Sequence, residues 1–300
     1  MKKFAKCTCC QSVNPVSAMI ATAMPKRGNA AAYMCSECAS TNRSYHTSNN
    51  VIQGKQKVNA VNVGIELETS FTDELARNQL FEYGLIPTHD CSLDSDGFGS
   101  RYGWDGNTCE YVTGIMQGLN IASKMAVSIE KLMNDEHLKI NHSCGTHFHV
   151  SIDAMKDENG EQTYMGYIRR FYHSIFIPLY REMAVSVETT ESIFGRFFDS
   201  HYCHGINENT NVLDRYNFIN VTNNINIEFR LNRFNNAKQF QNLMKMEVEM
   251  VQAIVTNFCE HFNDTEIDSR RYENITAYRK HKASVTAGKL VKIFRKYAEI

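Results

Sequence analysis

Thr146-His147-Phe148-His149-Val150-Ser151-Ile152-Asp153 alternates between polar and apolar side chains. Successive side chains of a β-strand point to opposite faces, so Phe148, Val150 and Ile152 are expected to face a core. His147, His149 and Ser151 then share the other face. Val61-Asn62-Val63-Gly64-Ile65-Glu66-Leu67-Glu68 keeps the same period, with Val61, Val63, Ile65 and Leu67 inward. Glu66 and Glu68 lie together on the opposite side, roughly 7 Å apart along the strand. Ile225-Asn226-Ile227-Glu228-Phe229-Arg230-Leu231 groups Asn226, Glu228 and Arg230 in the same way, and a shorter run, 107–113, offers Glu110 between Cys109 and Tyr111. One such strand would be an ordinary half-solvated strand. Four of them, with polar faces made of carboxylate, imidazole and guanidinium, define a candidate site on one open sheet face.

Helical spacing separates the strands. Leu119, Ala122, Ala126, Ile129 and Met133 recur every three or four residues, as do Phe240, Leu243, Met244, Val248, Val251, Val255, Phe258 and Phe262. The stretch 164–184 is apolar almost all round and reads as a buried helix. These stripes are read as core. Residues 87–107, with four Asp and four Gly, form a long polar loop of the kind that usually carries function. Asp94-Ser95-Asp96-Gly97 lacks the Glu and the following helix that a calcium-binding loop requires.

The grouping also has a chemical meaning. Carboxylates gathered on one face repel one another unless a cation sits among them, so Glu66, Glu68, Glu110 and Glu228 imply Mg²⁺ or Mn²⁺. Carboxylate oxygens with one imidazole suit a hard divalent ion better than zinc. Arg230, two residues from Glu228, supplies a planar fork that matches phosphate. Metal and guanidinium beside an acidic cluster is the arrangement that phosphoryl transfer needs. Cys144 adjoins the histidine motif and is read as a structural thiol, not a nucleophile.

The ends of the chain differ from its middle. Residues 1–60 hold eight Lys and Arg against one acidic residue, and residues 270–300 hold nine against two, whereas the stretch between has 15 basic and 30 acidic residues. Basic ends of this kind are expected either to meet an acidic partner or nucleic acid or to be ordinary solvated surface. Cys7-x2-Cys10 and Cys35-x2-Cys38 form two knuckles, whose two-residue gaps let four thiolates close on one zinc. Cys9 and His46 are substitute ligands, and unmetallated or redox cysteines are the alternative. No run of 18 apolar residues is present, so no membrane span is expected. No apolar stretch follows the basic start, so no secretory signal is read and the chain is assigned to a reducing cytoplasm.

Taken in order, the motifs resemble those of the putative amidoligase family, within the carboxylate–amine ligase superfamily of glutamine synthetase and glutamate–cysteine ligase. Five pieces carry the resemblance: Gly64-Ile65-Glu66-Leu67-Glu68, Asp90-Cys91-Ser92-Leu93, Glu110-Tyr111-Val112-Thr113, Cys144-Gly145-Thr146-His147-Phe148-His149 and Glu228-Phe229-Arg230. Arg215-Tyr216-Asn217-Phe218-Ile219-Asn220 is similar to the family's segment before its last strand. The resemblance implies an α+β fold, with a curved antiparallel sheet flanked by helices as in the glutamine synthetase catalytic fold, and a bound ATP with Mg²⁺ or Mn²⁺. It implies that Glu66, Glu68, Glu110, His147 and Glu228 hold metal, that His149 and Ser92 contact the nucleotide, and that Arg230 stabilises the transferring phosphoryl group. The expected organisation is a cysteine-rich zinc module over 1–45, a linker over 46–57, an amidoligase-like domain over 58–265 and a basic, helical tail over 266–300.

The activity expected from this resemblance is ATP-dependent ligation. A carboxylate is phosphorylated, and an amine attacks the acyl phosphate to form an amide. The substrate is then a small molecule, peptide or protein bearing these groups, with Asp90 a candidate acceptor for the amine's proton. Arg181, Arg196 and Arg215 are candidates to grip the carboxylate. The competing readings are a metal-dependent hydrolase or nuclease that docks nucleic acid through the zinc module, and a catalytically inactive scaffold of the same fold. The cysteine spacing predicts about one zinc per purified chain. Replacing Cys35 and Cys38 together by Ser should remove it, as read by metal analysis; full zinc retention in that variant would refute the ligand assignment.

Overall fold

The computed structural model describes residues 4–6, 13–15, 19–21, 33–35, 51–53, 61–88, 109–117, 119–198, 203–261 and 272–298. Five short strands come first: β1 (Phe4–Lys6), β2 (Val13–Pro15), β3 (Met19–Ala21), β4 (Tyr33–Cys35) and β5 (Val51–Gln53), with β1 antiparallel to β2 and β3 to β4. The fold class is α+β, with a mostly antiparallel open sheet and flanking helices. The chain divides into two compact units, Met1–Phe148 with Arg233–Gln241 and His149–Asn232 with Asn242–Ile300. No helix among the described residues is long and apolar enough to cross a membrane.

In the first unit, the alternating run forms β6 (Val61–Thr69), followed by β7 (Phe71–Thr72), α1 (Glu74–Glu82), β8 (Leu85–Thr88), β9 (Cys109–Thr113), β10 (Ile115–Gln117), α2 (Asn120–Asn134) and β11 (Leu138–Lys139). Strand β12 (Thr146–Ile152) begins here. β6 pairs antiparallel with β9 and β10, β9 pairs with β8, and β5 runs parallel to β10. Val61, Val63, Ile65 and Leu67 are buried, as the two-residue period requires. Helix α2 buries Ala122, Ala126 and Ile129 of the stripe read from the sequence, together with Met125 and Leu132, while Leu119 and Met133 are half-buried. Phe148 meets Phe240 edge-on at 4.9 Å between ring centroids, and Phe240 meets Phe234 at 5.0 Å.

The second unit takes the rest of β12, then α3 (Met165–Val185), α4 (Val187–Phe194), β13 (Ile219–Asn220) and β14 (Ile227–Phe229), most of α5 (Ala237–His261), and α6 (Tyr272–Ala298). Strands β13, β14 and β12 are neighbours in that order. Helix α3 buries ten side chains, in keeping with its all-round apolar sequence. Tyr167 accepts from Asn257 Nδ2 at 3.0 Å and lies 3.3 Å from Thr286 Oγ1, which ties α3 to α5 and α6. Strand β14 is shorter than the seven-residue run in the sequence. Asn223 Oδ1 accepts from the backbone N–H of Ile225 and of Asn226, both at 2.9 Å, and this side-chain turn holds the chain out of the strand until Ile227. Helix α4 stops at Gly195, whose φ of 77° is the left-handed conformation that glycine adopts without steric cost.

Helix α1 has a defined start. Asp73 Oδ1 accepts from Ala76 N at 2.9 Å, and Asp73 Oδ2 lies 2.6 Å from His137 Nδ1. Burial opposes ionisation of Asp73, but the Ala76 donor, His137 and the Leu75 donor outweigh it and hold the carboxyl below its ordinary value. A lowered folded-state pKa gives stability that is present above the unfolded pKa and is lost as pH falls through the folded one. Asp73→Ala should therefore cost about 1 kcal/mol at neutral pH, with wild type and variant converging in acid. Chemical denaturation across pH reads this, and a gap independent of pH would contradict it.

Candidate metal and phosphate site

The site residues are described by unit. In the first, the register of β6 against β9 sets Glu68 directly opposite Glu110 and Glu66 opposite Val112. Directly opposed residues have Cβ atoms about 5 Å apart, so two acids face each other across the sheet. Glu68 takes a backbone hydrogen bond from Gly145 on Oε2, and its own N–H donates to the Gly145 carbonyl at 3.0 Å. These bonds lock β6 to the chain entering β12. His147 Nδ1 lies 3.2 Å from Glu66 Oε2, and its Nε2 lies 3.8 Å from Glu68 Oε1. One imidazole thus stands between two carboxylates.

In the second unit, His149 Nδ1 lies 3.1 Å from Asn226 Oδ1, and Asn223 Nδ2 donates to that same oxygen at 3.4 Å. An amide oxygen can only accept, so Nδ1 carries a proton, and in the neutral ring Nε2 is the atom that holds the lone pair. His149 and Glu228 bring ligand atoms within 4.8 Å of each other. Both oxygens of Glu228 are engaged: Oε1 accepts from Arg230, and Oε2 accepts from Asn220 Nδ2 at 2.6 Å across the β13–β14 register. The Arg230 guanidinium lies 5.8 Å from the Tyr216 ring centroid, a distance at which the ring's negative face favours a cation.

These groups do not lie on open ground, as the strand pattern suggested. Glu68, Glu110, His147, Glu228 and Arg230 are 8, 5, 4, 5 and 7% exposed, and only Glu66 and His149 are half-buried. Parity gives the face on which a side chain lies, but covering that face is a matter of tertiary packing. Arg196 is no free carboxylate grip. Its Nη2 and Nε donate to the carbonyls of Arg230 and Leu231 at 2.9 and 3.2 Å, bracing the chain that carries the site. Arg181 pairs with Glu208 at the surface, and Arg215 sits 5.2 Å from the Tyr216 ring. Burial pushes the Cys144 thiol up to about 11, which favours the protonated thiol at neutral pH.

Asp90 and Ser92 lie outside the described residues, as do Cys7, Cys10, Cys38 and the side chain of Cys35. The sequence reading did not single out Asn220 as a partner for Glu228, the hold of Asn226 on His149, or Tyr216 beneath Arg230. Asn220 and Tyr216 belong to the Arg215–Asn220 segment, where a polar residue in an otherwise apolar strand was the available signal. No protein-family model, curated protein or solved structure matches this chain.

The Glu228–Arg230 pair is buried, so removing one partner strands the charge of the other. Arg230→Ala should cost on the order of 3–5 kcal/mol, measured by chemical denaturation. A loss under about 1 kcal/mol, as for an exposed pair, would show that the pair is solvated.

Proposed function

We propose that the chain binds a divalent cation through His149 and Glu228, whose ligand atoms lie within 4.8 Å of each other, and that with Arg230 this site holds the phosphates of ATP for carboxylate–amine ligation. The observation that supports this best is the Asn226–His149 hydrogen bond at 3.1 Å. Metal-ligating histidines characteristically donate their second N–H to a carbonyl or carboxylate, which fixes the tautomer and aims the lone pair. The donor set within the second unit, a carboxylate and an imidazole, suits Mg²⁺ or Mn²⁺. In this reading His149, which the resemblance made a nucleotide contact, takes the ligand's part, while His147 orients Glu66 and Glu68. The putative amidoligase resemblance, with its glutamine synthetase-like sheet, points the same way.

A bound divalent ion would neutralise phosphate charge and position the oxygens between which the phosphoryl group moves. Arg230 would add its guanidinium to the equatorial oxygens, where charge is spread in the transition state. Asn220 holds Glu228 in β14, and Arg196 braces the chain at Arg230 and Leu231 just after it. No enzyme nucleophile is required: the substrate carboxylate attacks the γ-phosphorus as the bond to ADP breaks, and the amine then displaces phosphate and loses a proton. The neutral Cys144 thiol is consistent with a route lacking a thioester.

Titration with Mn²⁺, followed by electron paramagnetic resonance, should show binding to the wild type. Glu228→Gln and His149→Ala should each weaken it roughly tenfold or more. With Mg-ATP and pooled amino acids, wild type should release phosphate and ADP, and both variants should lose turnover. Unchanged Mn²⁺ affinity in both would refute the metal site. AMP as product, or phosphodiester cleavage without ATP, would refute ligation and favour the hydrolase reading.

A further inference from the structure

Helix α5 carries an acid in the interior of the second unit. Glu247 is 0% exposed, and neither of its carboxylate oxygens has a hydrogen-bond partner among the described residues. It borders a small cavity lined by Leu179, Met183, Phe194, Phe229, Leu231 and Met250. Helices α3 and α4 and strands β13 and β14 thus turn only apolar side chains toward that cavity, and none of them brings a titratable or charged group to the acid. The polar side chain acting on Glu247 is Asn232, whose amide favours the charged form but is outweighed by burial; Asn232 is itself fully buried, and its Oδ1 has no partner among the described residues. A carboxyl group met only by one amide, beside an amide oxygen without a donor, is a costly arrangement in an apolar setting. One proton on the carboxyl turns an acceptor into a donor and satisfies both groups.

Asn232 stands two residues after Arg230, and its Nδ2 reaches back to the Phe229 carbonyl at 3.4 Å. Phe229 and Leu231 are the inward neighbours of Glu228 and Arg230. We propose that Glu247 is a positioning residue: as a neutral acid it donates to Asn232 Oδ1 and so fixes the chain that runs from β14 through Arg230 to Asn232. Its bearing on metal and phosphate binding rests on the function proposed above; its hold on that chain does not. Burial raises the Glu247 pKa well above the ordinary glutamate value. The folded chain therefore keeps a proton that the unfolded chain releases, and stability falls as pH rises from the unfolded to the folded pKa.

Glu247→Gln keeps the shape and a donor without a titrating group, whereas Glu247→Leu removes the hydrogen bond but keeps the apolar packing. From pH 5 upward, the unfolding equilibrium of the wild type should worsen relative to Glu247→Gln by about tenfold per pH unit. By hydrogen exchange with mass spectrometry at pH 7, Glu247→Leu should speed exchange of residues 227–232 by about tenfold, with α6 unchanged, and Glu247→Gln should match the wild type. A wild-type-to-Gln gap that stays constant from pH 5 to 9 overturns the neutral acid. Wild-type exchange at 227–232 in Glu247→Leu overturns the positioning role. A parallel Mn²⁺ titration separates the two proposals: absence of binding in the wild type would sink the metal reading, while the exchange data would still decide the role of Glu247.

Discussion

An ionised group taken out of water needs a counter-charge or hydrogen bonds, and failing those it takes up a proton. Each part of the candidate site is an answer to that requirement. Glu228 is buried because Arg230 and Asn220 occupy its two oxygens. Glu68 is buried because the Gly145 amide and His147 meet it. Glu247 meets no cation among the described residues, and in the reading argued above it keeps its proton. Strand register decides which answer each acid receives, because it sets Asn220 opposite Glu228 and Glu110 opposite Glu68.

Much of this was legible as period. Val61–Thr69 and Thr146–Ile152 alternate so regularly that each strand and its polar face could be read directly, and α2 and α5 follow from three- and four-residue spacing. Burial of the polar face was not legible, since it depends on what lies above the sheet. The late start of β14 was also hidden, because Asn223 turns the chain through its side chain while the alternation runs on unbroken through Ile225. Glu247 left a signal that could have been followed. It falls four residues after Leu243 and three after Met244, within the apolar stripe of α5, where an acid stands out against its neighbours.

The basic C-terminal segment shows how little a charge count says about partners. In α6, Arg295 holds Glu182 of α3 at 2.6 Å, and Lys296 holds Glu249 of α5 at 2.8 Å. Exposed pairs of this kind contribute little stability, but they spend part of the surplus charge within the chain. The helix itself is anchored by Ala283, Ala287, Leu290 and Phe294 in the core, with Phe294 stacked against Phe194 at 6.4 Å. Its place therefore rests on apolar packing, and its basic surface only partly remains to meet anything acidic.

In the first unit Glu66, Glu68 and Glu110 gather three carboxyl groups, and the ring standing between two of them is His147. The two imidazoles of β12 differ in what they meet. His147 faces carboxyl groups through both nitrogens. His149 meets a neutral amide oxygen through Nδ1, which leaves its lone pair on the atom that a metal would use.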